Sequence, residues 1–388
     1  MTQSAAFDIA VIGAGMAGVS AAAELAPHAR VLLIESESQP GYHATGRSAA
    51  ILAQTYGNDV VRALTRASDR FLTAPPEGFA EAPLLTPRGL IRIGRADQLD
   101  LLREMFDDLE DTGFLEWVDA AEVERRVPLL RPGYAAGGIV NAAAQDLDVH
   151  GMLQGYLRRF RAAGGTLVCG APVGGLDRRG TRWIIAAGDA QYEAGQVVNA
   201  SGAWADQTAV LAGGEPIGLQ PLRRSALTFR PPSHVDVAAM PMVVDAAEDF
   251  YVKPEAGKLL ASPANETPSE PCDSRPEEIE VAIAIDRVLG AFDLDVHRIE
   301  AQWSGLRTFS PDRAPVCGYD GELDGFFWLA AQGGYGIQTA PALARLTAHM
   351  VADAAPDEEF TRTGLSPDRL SPQRFQTGKT NGAVKTAR

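Results

Sequence analysis

The run Gly13-Ala14-Gly15-Met16-Ala17-Gly18 constrains this chain more than any other feature in it. It follows an apolar stretch, Phe7 to Ile12, that reads as a strand, and precedes an Ala-rich stretch, Val19 to Leu25, that reads as a helix. A second apolar strand, Val31 to Ile34, ends at Glu35. Strand, glycine turn, helix and strand make a βαβ unit, and the glycine spacing is that of a dinucleotide fingerprint. Gly13 makes the tight turn. Gly15 lacks a Cβ, so a pyrophosphate can approach the backbone. Gly18 lets the helix pack on the strand. The helix start offers unpaired N–H groups and a positive dipole end to phosphate. Glu35, with Ser36 beside it, can accept from a ribose hydroxyl. The expected nucleotide site is therefore Gly13, Ala14, Gly15, Met16, Ala17, Gly18, Glu35 and Ser36.

Bulk properties narrow the partners. At 388 residues, the chain is too long for one compact core and suggests two lobes or one elaborated α/β domain, and its 46% hydrophobic content is ample for a sizeable core. A net charge of −15 argues against nucleic acid or anionic membrane as a general partner. It leaves room for an anionic substrate held by a local cationic pocket. Cys169, Cys272 and Cys317 are far apart and odd in number, which argues against a disulfide framework or a zinc site. The histidines show no metal or triad spacing, so no metal is expected. No run is long and apolar enough to span a bilayer, and the expected location is cytoplasmic.

Further along, Asp59 to Phe71, Gln98 to Glu110 and Asp148 to Ala163 read as helices. Leu90 to Ile93, Gly138 to Val140 and Thr166 to Cys169 read as strands, Trp183 to Ala186 and Tyr192 to Glu193 as hairpin strands, and Gln196 to Ala200 as a separate apolar strand. Phe326 to Ala330 is the last strand, Tyr335 to Met350 the last long helix, and the chain after Thr361 a polar, loosely held tail. The fold class is α/β, with an α+β second lobe. A Rossmann-like nucleotide domain (1–85, 145–220 and 305–361) is expected to interleave with a β-sheet substrate domain (86–144 and 221–304), leaving 362–388 as the tail.

Three later segments bear on which dinucleotide binds. Gly41-Tyr42-His43-Ala44-Thr45-Gly46-Arg47-Ser48-Ala49-Ala50 is a small-residue loop after the second strand. Val197 to Trp204 is a strand ending in small residues, and Gln332-Gly333-Gly334-Tyr335-Gly336-Ile337-Gln338 joins the last strand to a helix. With Trp303-Ser304-Gly305-Leu306-Arg307, these segments resemble the D-amino-acid oxidase superfamily of FAD enzymes. The runs Gly41 to Ala50, Gly218 to Pro221, Arg223 to Ala226, Phe250-Tyr251, Ser262 to Asn265 and Ala330 to Thr339 are most similar to its D-arginine dehydrogenase branch. The resemblance implies FAD, held noncovalently, contacted also by His43, Thr45, Arg47, Ser48, Ala49, Ala50, Val173, Ala200, Gly202, Trp204, Gly305, Gly333, Gly334, Tyr335, Gly336, Ile337 and Gln338. His43 stands in a loop where some relatives attach flavin covalently. The expectation here is that it lies near the cofactor or caps the loop.

The same resemblance maps Arg224 and Arg307 onto a carboxylate clamp, and Tyr251 and Tyr56 onto pocket tyrosines. Arginine suits the task, because its planar fork binds carboxylate bidentately and keeps its charge. By strand alternation one of Arg223 and Arg224 faces inward and the other outward, and the residues alone do not say which. Cation-preferring members of the branch carry glutamate where this chain has Leu90, and polar loop residues where it has Ile51 and Ala53. Met242 and Val244 are also apolar. With Gly334 and Gln338 these residues outline a pocket for an uncharged, apolar or aromatic side chain. The implied reaction is oxidative deamination of a D-amino acid to a 2-oxo acid and ammonia, by hydride transfer to flavin. The electron acceptor, oxygen or a quinone-type oxidant, is left open. Three readings compete: oxidation of a secondary amine, oxidation of a 2-hydroxy acid, and a flavoprotein subunit active only in a complex.

Overall fold

From Ile9 to Ile12 every side chain of strand Ala6–Ile12 is buried, the pattern of a parallel strand covered on both faces. It lies between Val31–Ile34 and Ala190–Asn199, parallel to both. The computed structural model describes residues 6–376, and within them this strand sits in the middle of an eight-stranded sheet. Ile9 and Val11 point into one core, built with helices Met16–Leu25, Asp59–Thr73, Val149–Ala162 and Gly336–Ala352. Ala10 and Ile12 point into another, built around Trp183, Phe326 and Trp328. Fully burying a side chain such as Val19 or Leu25 is worth about 1.5–3 kcal/mol, so the glycine turn is clamped between elements it does not itself stabilise.

Ala190–Asn199 is one ten-residue strand, not the hairpin strand and separate apolar strand expected from the sequence. Its first half pairs antiparallel with Arg182–Ala187, and its end pairs parallel with Phe326–Ala330. Gly195 in its middle broke the apolar run that the sequence reading relied on. Strand Val173–Arg179, which forms the edge of the sheet, was not anticipated at all, because glycines and charges dilute its pattern.

A second sheet has nine strands. Its spine is the pair Gln220–Phe229 and Ile299–Phe309, antiparallel from Gln220 opposite Phe309 to Phe229 opposite Ile299. The expected division between residues 304 and 305 therefore falls inside a continuous strand. Side chains alternate across the sheet. Ile91, Ile93, Val243, Phe250 and Val252 enter a core covered by Ala284, Val288 and Ala291 of helix Glu278–Ala291. Leu90, Met242, Val244, Tyr251 and Ala226 gather on the opposite face with Ile51 and Ala49. That face looks toward the glycine loops of the first sheet.

The tail is not loose where it is described. Residues 362–376 fold back on the first lobe: Leu370 is fully buried, and Arg369 pairs with Asp59. Arg374 bonds Asp312 and the carbonyls of Ala314 and Pro315. The late basic residues of the expected tail, Lys379, Lys385 and Arg388, lie outside the described residues. Among the described residues, no helix is long and apolar enough to cross a membrane.

Candidate active site

Two connected cavities lie between the sheets. The larger, about 410 Å³, runs from Glu35 and Ser36 past Gly13, Gly15 and the His43–Ala49 loop to Arg224, Tyr251 and Arg307. The smaller, about 80 Å³, continues from Arg224, Arg307 and Gly334 into the apolar face of the second sheet.

The glycine turn works as its spacing implied, with one distinction. Gly13 has φ +98°, and a Cβ there would lie 2.5 Å from the Ala200 carbonyl oxygen. At Gly18 a Cβ would lie 1.8 Å from the Gly13 oxygen. Both positions require glycine for the protein's own packing. Gly15 does not: its Cβ would meet only Thr45 Oγ1 at 3.4 Å, and otherwise open cavity. The missing side chain there leaves room for something outside the chain. Glu35, 7% exposed, accepts from the Ala14 N–H at 2.7 Å through Oε2, and from Glu37 N–H and Ser36 Oγ through Oε1. It fixes the turn and lines the cavity with acceptor capacity to spare.

Met16 N–H donates to Thr45 Oγ1 at 2.9 Å, which ties the helix start to the second loop. His43 Nε2 is 2.9 Å from Glu37, and its ring packs on Tyr42 and Trp204. Arg47 lines the cavity, but its guanidinium is committed to the carbonyls of Ser274 and Ser304 and to Asp273. It forms part of the cavity wall, at the position where the sequence suggests a cofactor contact. Thr308, which nothing in the sequence singles out, and Gln332, which opens the glycine segment before the last helix, also line the cleft, and each buries a polar atom (Oγ1 and Nε2) with no partner among the described residues. The open face at Gly15, these two orphaned groups and the length of the cleft fit an extended dinucleotide.

Alternation decides the arginine pair. Arg223 turns out to Glu280 and Glu277 on helix Glu278–Ala291 and its cap. Arg224 turns in, 9% exposed, with Nε donating to the Asn265 carbonyl at 2.7 Å and only a long contact, 3.4 Å, to Glu266. Arg307, on the neighbouring strand, donates to Tyr56 Oη at 3.3 Å, and among the described residues no carboxylate pairs with it. Gly334 lies directly under its guanidinium: a Cβ there would be 2.8 Å from Arg307 Cζ. Burial, and then the charge of Arg307, push Arg224 below its ordinary value. Burial also opposes the charge on Arg307, but Tyr56 and Tyr251 outweigh it and the net shift is upward. Both groups start so high that they stay cationic. Burial, and then Tyr56, push Tyr335 up to about 12, so it remains a neutral phenol. Two buried cations facing one cavity form a receptor for an anion.

Other expected residues fall into place differently. Ile51, Tyr56, Leu90, Met242, Val244, Gly334, Ile337 and Gln338 line the smaller cavity, as does Ala50, which had been assigned to the cofactor. Ala53 is buried behind it, and Gln338 spends its amide on Thr65. Ala14 and Gly18 shape the turn without lining the cleft. Tyr335 stands behind Tyr56, ring against ring at 4.8 Å. Val173, Ala200, Gly202, Trp204, Gly305, Gly333 and Gly336 line the larger cavity. The side-chain end is not wholly apolar, as had been expected: Arg92 and Glu248 reach it. Arg92 is two residues from Leu90 and so on the same strand face, a signal the sequence did contain.

The family model described as FAD dependent oxidoreductase, DAO, matches residues 8–350. The chain belongs to the DAO family of FAD-dependent oxidoreductases. This DAO-family chain is 24% identical to glycine oxidase of Geobacillus kaustophilus (strain HTA426), over 94% of this chain and 97% of that one. It is 25% identical to L-2-hydroxyglutarate dehydrogenase of Escherichia coli (strain K12), over 54% of its own length and 51% of the relative's, so the match spans about half of that protein. The solved Geobacillus kaustophilus glycine oxidase shares its fold, with a TM-score of 0.82 at 21% identity over 95% of this chain and 99% of that one. L-alpha-glycerophosphate oxidase from Mycoplasma pneumoniae, solved with FAD bound, has a TM-score of 0.80 at 12% identity, over 89% and 95%. FAD is the cofactor of the DAO-family fold, and the cleft from Glu35 to Gln332 has the glycines and donors to hold it.

Proposed function

We propose that the chain oxidises an amine-bearing carbon next to a carboxylate, with D-amino acids as the leading substrate class and a 2-oxo acid and ammonia as products. The observation that carries this reading is the pair Arg224 and Arg307, both facing the junction of the two cavities, with Arg307 laid over Gly334. The two guanidinium forks hold the substrate carboxylate and so fix where its α-carbon sits. Tyr56, bonded to Arg307, holds that fork in place, and Tyr251 closes the other side. Leu90, Met242 and Val244 line the path of the side chain and keep water from it. FAD, when bound, supplies the two-electron acceptor for the hydride that leaves the α-carbon. The amine gives up a proton as the hydride leaves, and water hydrolyses the resulting imino acid. No side chain is needed as a base, because the neutral amine forms by proton loss to solvent. FAD is held noncovalently in this reading, with His43 engaged by Glu37.

The test is anaerobic mixing of the yellow protein with D-, L- and N-methyl amino acids and with 2-hydroxy acids. Bleaching by a D-amino acid, with apparent KM raised steeply by Arg307→Met, supports the reading. Bleaching by hydroxy acids alone would remove the amine from it, and unchanged affinity in Arg307→Met would remove the clamp.

A further inference from the structure

The far end of the smaller cavity holds an ion pair that the carboxylate clamp does not use. Arg92 Nη2 lies 3.1 Å from Glu248 Oε1, and both residues line the cavity beyond Leu90, Met242 and Val244. We propose that Arg92 is a specificity-determining residue that receives a second carboxylate. The substrates are then short dicarboxylic acids, oxidised at the carbon next to the carboxylate on Arg224 and Arg307. This rests on reading those two arginines as the clamp, and it names the side chain that the pocket selects.

Three observations lead there. First, the Arg92 fork is only partly used. Besides Glu248 it makes contacts of 3.4 and 3.5 Å to the carbonyls of Asp245 and Ala246, at the outer limit of hydrogen bonding. A guanidinium carries five donors, so capacity remains on the side facing the cavity. Second, charge is unbalanced. Arg92, Arg224 and Arg307 line this cavity and Glu248 is the acid that faces them there, while Glu266 is held by Arg313 outside it. That leaves a surplus of two positive charges. One substrate carboxylate removes half of it, and a second removes the rest. Third, the end of the pocket is built rather than incidental. Glu248 has φ +56°, a left-handed conformation rare for a side-chain-bearing residue. It is held there by its N–H on the Asp245 carbonyl at 2.9 Å, while the fully buried Asp245 carboxylate caps the N–H groups of Ala247 and Asp249. The apolar walls between the two ends suit a stem of one or two methylenes. A substrate with a distal cation is disfavoured, because Glu248 is already paired and arginines surround it.

The holoenzyme is titrated with glutarate and with its monoamide, which no dehydrogenation at an α-amine can consume, and binding is read from the flavin spectrum. Glutarate should bind at least tenfold more tightly than the monoamide. Arg92→Met should bring that ratio close to one, and Arg92→Lys should restore part of it. Equal affinities in the unaltered protein, or a ratio untouched by Arg92→Met, would overturn the proposal. Anaerobic bleaching is measured in parallel with both enantiomers of glutamate, 2-hydroxyglutarate, glutamine, leucine and lysine. Bleaching by 2-hydroxyglutarate but by no amino acid, with the glutarate preference intact, removes the amine reading and leaves Arg92's role standing. Fastest bleaching by lysine, lost in Glu248→Gln, assigns the distal site to Glu248 and defeats the proposal.

Discussion

Replacing Gly334 with alanine adds one methyl group at the place where the clamp is tightest. Gly334 does not have a positive φ, so its backbone accepts alanine without strain. The new Cβ would stand 2.8 Å from Arg307 Cζ and 2.9 Å from Nη1. Ordinary contact begins at about 3.4 Å, so the guanidinium must move by about 0.6 Å. The far end of an arginine can make that shift, and the fold should hardly register it, with Tm moving by less than about 2 °C. If Arg307 receives the substrate carboxylate as proposed, the carboxylate moves with it. Misplacement of about 1 Å costs on the order of 100-fold in rate, so kcat/KM should fall roughly tenfold to fiftyfold, or about 1.4–2.3 kcal/mol. The assay is steady-state turnover of whichever substrate bleaches the flavin, alongside thermal denaturation. A kcat/KM within twofold of the parent would refute the placement of Arg307 as carboxylate receptor. Gly333→Ala is the contrast: φ is +53° and the Cβ would lie 2.2 Å from the Phe309 ring, so this variant should lose stability first.

Other changes separate fold from cofactor. Gly15→Ala should leave the Tm of the cofactor-free protein unchanged within about 2 °C but lower FAD content on purification, because only Thr45 Oγ1 lies near the new methyl. Precipitation with acid should release the yellow colour into the supernatant, and colour retained in the pellet would contradict noncovalent FAD. Glu280→Ala strips a buried carboxylate from Arg223, Ser225, Thr267 and Asn265, and should cost about 3–5 kcal/mol in chemical denaturation. Burial raises the Glu280 pKa, but its bonds to Ser225 and Arg223 outweigh that and hold it below the ordinary 4.5. The unfolded chain therefore takes up that proton first. Glu280 supports the fold above about pH 4.5, and that support fades as pH falls through its depressed value. Glu280→Gln should flatten the acid limb of the stability profile.

Much of the site was legible because its signals are local. Gly13, Gly18 and Glu35 do what their spacing demands, since a turn and its first helix are decided within a few residues. The inward Arg224 was half legible: alternation required one of two adjacent arginines to face in, but only Glu280 and Glu277, more than fifty residues away, show that Arg223 is the outward one. Arg92 was legible in principle from Leu90, because a strand repeats every two residues. Thr308 and Gln332 carried no signal beyond their neighbours. Glu248 carried none at all, because it sits in a turn whose geometry is set by the buried Asp245.

By itself, the sequence pointed to a dinucleotide site at the first βαβ unit, because glycines without Cβ and an acid at the next strand end have little other joint use. Gly15 sharpens that point, since the protein's own packing leaves it free to be alanine. Only the tertiary structure decided what faces that dinucleotide. The pairing of Gln220–Phe229 with Ile299–Phe309 brings Arg224 and Arg307 onto one surface, and the parallel pairing of Leu90–Gly94 with Met242–Asp245 brings Arg92 beside the turn bearing Glu248. These contacts join residues some 80 to 160 positions apart, and register between distant strands is settled by which faces the cores can bury.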